Sequence, residues 1–345
     1  MTPSPGPAPL RLAAVVVTWN RLDPLQQTLA RLLAEGIVRV VVVDNASTDG
    51  TRAWLHDRPD PRLTVLRLPD NRGGAGGFEA GLAHLLGRDG RAPGGPDWTL
   101  LLDDDARPQP GAIAAFHRAA AGLDPDAGPV GVIAAAVTLP GGRPAEMNRP
   151  LLNPFWHPAL ALRTALRGRG AFHLPDAALG PDAPPREVDG ASFVGFFLAR
   201  GAVARAGLPD GGLFIYGDDV IYSLTLRRAG LRIRLEPSIR FEHDCASLGT
   251  GLAVRPLWKA YYLCRNGIVM TRVAAGALLR PVAILWYVLA WSRKARHYTD
   301  RERGVYRRLM WLGIRDGFTG RRGRRDAAHR IAALAESLAE GDTKD

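Results

Sequence analysis

Cysteine is nearly absent: Cys245 and Cys264 are the only two in 345 residues. Neither stands in a paired metal spacing, which excludes a disulfide framework or a zinc ribbon. The usage suits a reducing cytoplasm. A basic start followed by an apolar run is missing from the N-terminus, so no signal peptide is expected. The first nine residues instead hold four prolines, and residues 1–10 read as a short disordered leader. No internal repeat and no low-complexity tract occurs. Also missing is an uninterrupted apolar run of the ~20 residues that a membrane-spanning helix needs. The nearest approach is an 11-residue run over 281–291, extended backwards over 273–279 but interrupted by Arg280. Trp286, Tyr287 and Trp291 beside Arg293, Lys294 and Arg296 fit a helix lying in a membrane interface, the alternative being an ordinary buried helix.

What is present sets the scale. Hydrophobic residues make up 46% of the chain, enough for a sizeable core and too much for global disorder. The length allows one large domain or two of moderate size. Net charge is +11, but between Arg255 and Arg325 there are 17 Lys or Arg against Asp300, Glu302 and Asp316. The basicity therefore belongs to the C-terminal region, and the preceding part is close to neutral or slightly acidic.

The first hundred residues alternate between two periods. Residues 12–17 form an apolar strand run, and Asp23-Pro24 opens a helix with Asp as its cap and Pro in its first turn. Leu25, Leu29, Leu32 and Leu33 then recur at helical spacing. Residues 38–43 form the next strand, continuously apolar because both faces are covered. A helix starting near 47–49 carries Trp54 and Leu55. A third strand over 63–68 precedes a helix marked by Phe78, Leu82, Leu85 and Leu86, and 98–102 form a fourth strand. This rhythm predicts crossover units, an α/β fold and a mostly parallel sheet flanked by helices. Residues 140–185, rich in Pro, Gly and Ala, read as long loops. Residues 191–199 read as a strand, 218–219 as a helix start, 231–235 as a strand, and the chain beyond Pro256 as helical and basic. The expected organisation is a catalytic domain over 11–255 and a helical, basic region over 256–345.

In such sheets ligands collect beyond the carboxyl ends of the strands. Thr18 to Arg21 follow strand one, Asp44 follows strand two and Asp103 follows strand four, so three strand ends deliver polar groups to one edge. Asp103-Asp104-Asp105 are three successive carboxylates that repel one another unless a cation or positive groups stand nearby. Alternation along an extended segment puts Asp103 and Asp105 on one side, where oxygen ligands suit Mn²⁺ or Mg²⁺. A solvated acidic turn is the competing reading. Asp44 and Asn45 can accept from a ribose hydroxyl or a base, or can simply cap the next helix. Asn71 to Gly77 is a glycine-rich turn whose N–H groups can approach a diphosphate, but it does not match the dinucleotide fingerprint. Asp218 and Asp219 open a helix, where acids often serve as structural caps. His243, within Glu242-His243-Asp244, can ligate a metal or be a satisfied structural residue.

Thr18-Trp19-Asn20-Arg21, residues 43–50 with Asp44-Asn45, Asn71 to Gly77 and Asp103-Asp104-Asp105 together resemble the donor-site blocks of the inverting family 2 glycosyltransferases with the GT-A fold. The resemblance covers roughly residues 11–270 and is nearest in flavour to bacterial galactofuranosyl- and rhamnosyltransferase-like enzymes. Tyr261-Tyr262 through Arg265-Asn266 are similar to that group as well. The resemblance implies that Thr18, Asn20, Arg21, Asp44, Asn45, Asn71, Gly74 and Asp104 line the donor pocket, with Asp44 on the nucleoside. It implies that Asp103, Asp105 and His243 hold the metal, and that Asp219, with Asp218 beside it, supplies the base. Phe193 to Phe196 would face the acceptor, where related enzymes often carry a tryptophan and this chain has none. The implied partners are a nucleotide-diphosphate sugar, with UDP-galactofuranose or dTDP-rhamnose in first place, and a glycan or lipid-linked acceptor. An anionic membrane surface at the inner face of the cell membrane suits the basic region, and a homo-oligomer is compatible with the sequence. No nucleic acid is expected.

Two other classes compete. A nucleotidyltransferase also places acids at strand ends, but carries a glycine- and lysine- or arginine-rich phosphate loop after strand one, where this chain has Thr18-Trp19-Asn20-Arg21. A protein that binds anionic surfaces or nucleic acid would use the basic C-terminal region and leave the aligned acids without a purpose.

Overall fold

The structure is a computed structural model that describes residues 10–37, 39–244 and 253–341. Apart from Leu10, the expected leader lies outside the described residues, as does Cys245. The chain begins β1 (Leu12–Thr18), α1 (Leu22–Ala34), β2 (Val40–Asp44), α2 (Thr51–His56), β3 (Leu63–Arg67), α3 (Gly73–Leu86) and β4 (Trp98–Asp103). It continues β5 (Ala106–Pro108), α4 (Ala112–Ala121), β6 (Val130–Thr138), α5 (Pro158–Arg167), β7 (Arg186–Val188), β8 (Phe196–Ala199), α6 (Arg200–Ala206), α7 (Asp218–Arg228) and β9 (Arg232–His243). The C-terminal region is helical: α8 (Lys259–Lys294), α9 (Asp300–Thr319) and α10 (Asp326–Gly341).

The strands form one nine-stranded sheet, ordered β3-β2-β1-β4-β8-β6-β9-β5, with β7 pairing β9. The expected α/β architecture is present, and its parallel part is β3-β2-β1-β4. Beyond β4 the sheet is mixed, because β8 enters antiparallel to both β4 and β6 while β6 and β9 run parallel. β1 and β2 are buried along their whole length, as strands covered on both faces must be. One apolar layer forms from Val15, Val17 and Val43 with Phe78, Leu82 and Phe196. The other forms from Val16, Val42 and Leu100 with Leu25, Leu29 and Phe116.

Several local expectations change. Asp23 lies inside the first turn of α1, whose N-cap is Arg21 with no side-chain cap. The glycine-rich segment opens the third helix as expected, with Asn71 and Arg72 before α3 and Gly73 to Gly77 in its first turns. There the missing side chains permit close packing: a Cβ on Gly77 would lie 2.4 Å from Val17 Cγ1, and one on Gly81 2.4 Å from Val15 Cγ1. The strand expected over 191–199 shortens to β8, the one expected over 231–235 lengthens to twelve residues as β9, and 140–185 contain α5. Phe193 and Phe196 are both buried, with Phe193 against Phe78, Phe196 and Tyr222.

α8 is two helical limbs. Gly276 adopts φ 66° and ψ −177°, a region essentially reserved for glycine, and the chain doubles back there. Arg280 Nε donates to Thr271 Oγ1, Tyr287 Oη lies 3.7 Å from Met270 Sδ, and a Cβ on Gly267 would fall 2.4 Å from the Trp291 ring. The first limb is buried on both sides of Tyr261-Tyr262 and Arg265-Asn266, whereas the second presents Leu278, Val282, Leu285 and Leu289 to solvent. A groove of about 550 Å³ between Ala277, Arg280, Pro281, Ile284, Leu285, Val288 and Phe318 runs along that face.

Candidate active site

The carboxyl ends of β1, β2 and β4 lie side by side because the register pairs Thr18 with Asp44 and Val17 with Asp103. Asp44 and Asp103 are the last residues of their strands rather than the first residues beyond them. Asp104 and Asp105 form a tight turn into β5. The turn, and not alternation along an extended segment, is what separates the middle acid from its neighbours. β5 pairs antiparallel with β9, and the Ala106–His243 pairing brings His243 beside Asp105. Ligand atoms of Asp103, Asp105 and His243 all lie within 4.8 Å of one another.

Each carboxylate has a different setting. Asp104 is buried, accepts from Thr18 Oγ1 at 2.7 Å and lies 3.6 Å from Arg21 Nη1. Its backbone carbonyl accepts from Thr28 Oγ1 at 2.7 Å. Burial pushes its carboxyl up to about 7, against the pull of Arg21 and Thr18. Asp103 is pushed up to about 6 by burial and by the neighbouring Asp105 charge. Burial acts on Asp105 in the same direction, but the hydrogen bond and charge of His243, with Arg21 at 2.9 Å, outweigh it and hold that carboxyl below its ordinary range. Three crowded carboxylates around a single guanidinium are expected to split in this way, one lowered and two raised.

His243 is held from behind. Asn148 Nδ2 donates to Ser192 Oγ at 3.0 Å, which turns its Oδ1 toward His243 Nδ1 at 2.8 Å. That oxygen only accepts, so Nδ1 carries the proton. Nε2, 3.0 Å from Asp105 Oδ1, donates to that carboxylate while the ring is an imidazolium, and once it gives up this proton it is the nitrogen that would ligate a metal. Two carboxylates and an imidazole are a donor set that suits Mn²⁺ or Mg²⁺, and the residues fit such an ion. Asn148, Ser192 and Thr28 carry no motif, and nothing in the sequence pattern points to them.

The donor-side residues are largely clipped to one another. Asn20, at φ 53°, accepts from Thr48 N–H at 2.7 Å and takes Ser47 Oγ on its own N–H at 3.0 Å, joining the β1 and β2 loops. Asp44 is 1% exposed, accepts from Ser47 N–H at 2.8 Å and pairs with Arg67. It closes a turn after β2 but does not cap α2, whose N-cap is Gly50 with no side-chain cap. Asn45 donates to the Gly73 carbonyl and accepts from Arg72 N–H, fastening β2 to the start of α3. Asn71 accepts from Gly73 N–H at 2.8 Å. Gly74 has open space where a side chain would stand, whereas a Cβ on Gly73 would meet the Phe214 carbonyl at 2.0 Å.

Asp218 and Asp219 stand in the first turn of α7 after a left-handed Gly217. Neither caps through its side chain to a later turn; Asp219 Oδ1 accepts the adjacent Val220 N–H at 2.7 Å. Burial pushes Asp219 up to about 6, and burial together with the Asp219 charge raises Asp218 well above its ordinary value. The Asp219 charge also helps raise Asp103, so the two sets of acids lie near one another.

Residues 13–148 match the family Glycosyl transferase family 2. The chain is 30% identical over 239 residues to galactofuranosyltransferase GlfT1 of Mycobacterium tuberculosis, covering 68% of this chain and 70% of that protein. It is 30% identical over 251 residues to the N-acetylglucosaminyl-diphospho-decaprenol L-rhamnosyltransferase of the same organism, covering 68% and 76%. Among solved structures, GalNAc-T7 with UDP, GalNAc and Mn²⁺ superposes at a TM-score of 0.50 with 13% identity, over 84% of this chain and 58% of that one. The fold is that of the GT-A glycosyltransferases, with a helical C-terminal extension. The chain belongs to glycosyltransferase family 2 and is a sugar-transferring enzyme; the nucleotidyltransferase and surface-binding readings give way to that membership.

Proposed function

We propose that this enzyme moves a sugar from a nucleotide-diphosphate donor to an acceptor hydroxyl with inversion, in the synthesis of a cell-surface glycan. The observation that carries the reading is the meeting of two sets of acids: the cluster of Asp103, Asp105 and His243, and the buried Asp219 whose charge acts on Asp103. Asp103, Asp105 and His243 would hold Mn²⁺ or Mg²⁺, which when bound neutralises charge developing on the leaving diphosphate. Asp219 takes the acceptor proton as the hydroxyl attacks, with Asp218 beside it. Thr18 and Arg21 fix Asp104 so that the turn presents its two neighbours, and Asn20, Asp44, Asn45, Asn71 and Gly74 shape the nucleoside side.

The names of the two relatives support UDP-galactofuranose or dTDP-rhamnose as donor and a polyprenol-linked glycan as acceptor. A lipid-linked acceptor agrees with the leucine face of the second α8 limb, edged by Arg280, Arg293 and Lys294. Such a limb lies in the interface of an anionic cytoplasmic leaflet rather than across it. A panel of nucleotide sugars assayed for donor turnover with Mn²⁺ tests the reading: release of UDP or dTDP is expected, abolished by EDTA. Full activity in EDTA, or none with any donor, would sink it.

A further inference from the structure

The segment that delivers Asp219 is bent against its own preference. Phe214 sits at φ 67° and ψ −65°, and its neighbours close a tight turn with Ile215 N–H on the Leu213 carbonyl at 2.8 Å. Tyr216 follows at φ 70° and Gly217 at φ 75°. Two non-glycine residues in the left-handed region, one in the rare strained γ-turn geometry, do not stay there unless something holds them.

What holds them comes from the first limb of α8. Asn266 Nδ2 reaches the carbonyls of Leu213, Ile215 and Tyr216 at 3.0, 2.8 and 2.7 Å. Arg265 Nε donates to Asn266 Oδ1 at 2.9 Å, which sets the amide's orientation, and its Nη2 donates to the Leu213 carbonyl at 2.6 Å. Arg265 is fully buried, lies over the rings of Tyr262 and Tyr261, and forms no ion pair with a carboxylate among the described residues. A buried guanidinium directed at backbone carbonyls is an unusual way to hold helices together, and here every carbonyl in the fan belongs to the approach to Asp218 and Asp219 or to Gly323.

From this we infer that Arg265 and Asn266 are positioning residues for the catalytic base. They fix the left-handed backbone of 213–217 and thereby the placement of Asp219, so the helical extension takes part in catalysis without touching substrate. The inference rests on Asp219 being the base. It is tested in the full chain with Mn²⁺ and whichever of UDP-galactofuranose and dTDP-rhamnose the wild type turns over. Asn266→Ala is expected to lower kcat at least thirtyfold while the Kd for the matching nucleoside diphosphate changes less than threefold. Added to Asp219→Asn, it should lower the residual rate by less than twofold, because both changes remove the same placed carboxylate. A further tenfold fall in that background means general loosening of the fold and overturns the inference, as does a normal kcat in Asn266→Ala. Where Asn266→Ala does not fold, Arg265→Lys, which keeps the charge on the rings but loses the fork to the carbonyls, carries the same cycle. Normal turnover in Asp219→Asn removes the base itself; an inactive Asp219→Asn beside a normal Asn266→Ala removes only the clamp.

Discussion

At the end of β4 and along the second limb of α8, residues sit against their ordinary preference: carboxylates are buried at the first, leucines are exposed at the second. Asp104 and Asp105 are almost wholly enclosed, yet Thr18, Arg21 and His243 stand within hydrogen-bonding or ion-pairing distance. Leu278 is 88% exposed and Leu285 60%, and nothing in the described chain covers them. A buried carboxylate without partners costs several kcal/mol and would take up a proton or unfold the site, so the chain supplies the partners itself. An exposed leucine costs about 1.5–3 kcal/mol relative to burial, which a fold tolerates locally when a second surface is at hand. The one region is completed largely from within; the other, under the proposed function, is left to a surface outside the chain.

The sharpest way to break the first half of that comparison is to remove the base. Asp219→Asn should lower kcat by about 10²–10⁴-fold, the usual worth of a placed proton acceptor, with nucleoside diphosphate binding unchanged by calorimetry. Asn148→Ala should weaken Mn²⁺ binding by about 10–100-fold through the loosened His243 ring, read from the Mn²⁺ dependence of turnover. The buried acids give a pH signature. Asp103, Asp104 and Asp219 have folded-state values of about 6, 7 and 6, above those of the unfolded chain. The folded state therefore binds more protons, and metal-free stability must fall as pH rises from about 4 to about 7. The melting temperature in EDTA should drop across that range, and Mn²⁺ should raise it more at pH 7 than at pH 5. A melting temperature that rises with pH would show that the acids are not held protonated. Gly77→Ala, which forces a methyl into Val17, should destabilise by about 1–3 kcal/mol in urea unfolding. The smallest effect on chemistry is expected at the second region. Leu278→Asp with Leu285→Asp should abolish flotation with anionic liposomes while leaving turnover of a soluble acceptor within twofold. Unchanged flotation would leave the leucines without their assigned surface.

The two regions also differ in how far the sequence discloses them. β1, β2 and β4 are legible because a strand covered on both faces is continuously apolar, and their acids then fall at the ends by necessity. Asp103, Asp105 and His243 meet as the family resemblance implies, although the turn at 104–105 does what alternation was expected to do. The glycines of α3 carry an ambiguous signal: a missing side chain serves a ligand or a neighbouring strand equally well, and at Gly77 and Gly81 it is the strand. Asn148, Arg265 and Asn266 act on carbonyls and on another side chain, contacts that impose no period and no spacing. The doubling back of α8 is hidden for a related reason, since Arg280 and Pro281 draw attention as interruptions while the bend falls at Gly276.

That glycine decides more than a bend. As a straight rod the 36 residues of α8 would measure about 54 Å at 1.5 Å per residue, ample for the ~30 Å of a bilayer's apolar core. Folded at Gly276, neither limb reaches that thickness, and the limb that carries Arg265 and Asn266 is mostly buried inside the protein. Topology here is a property of one set of dihedral angles: the same composition that counts as a membrane span along the sequence becomes, in three dimensions, one wall of an active site and one face turned outward.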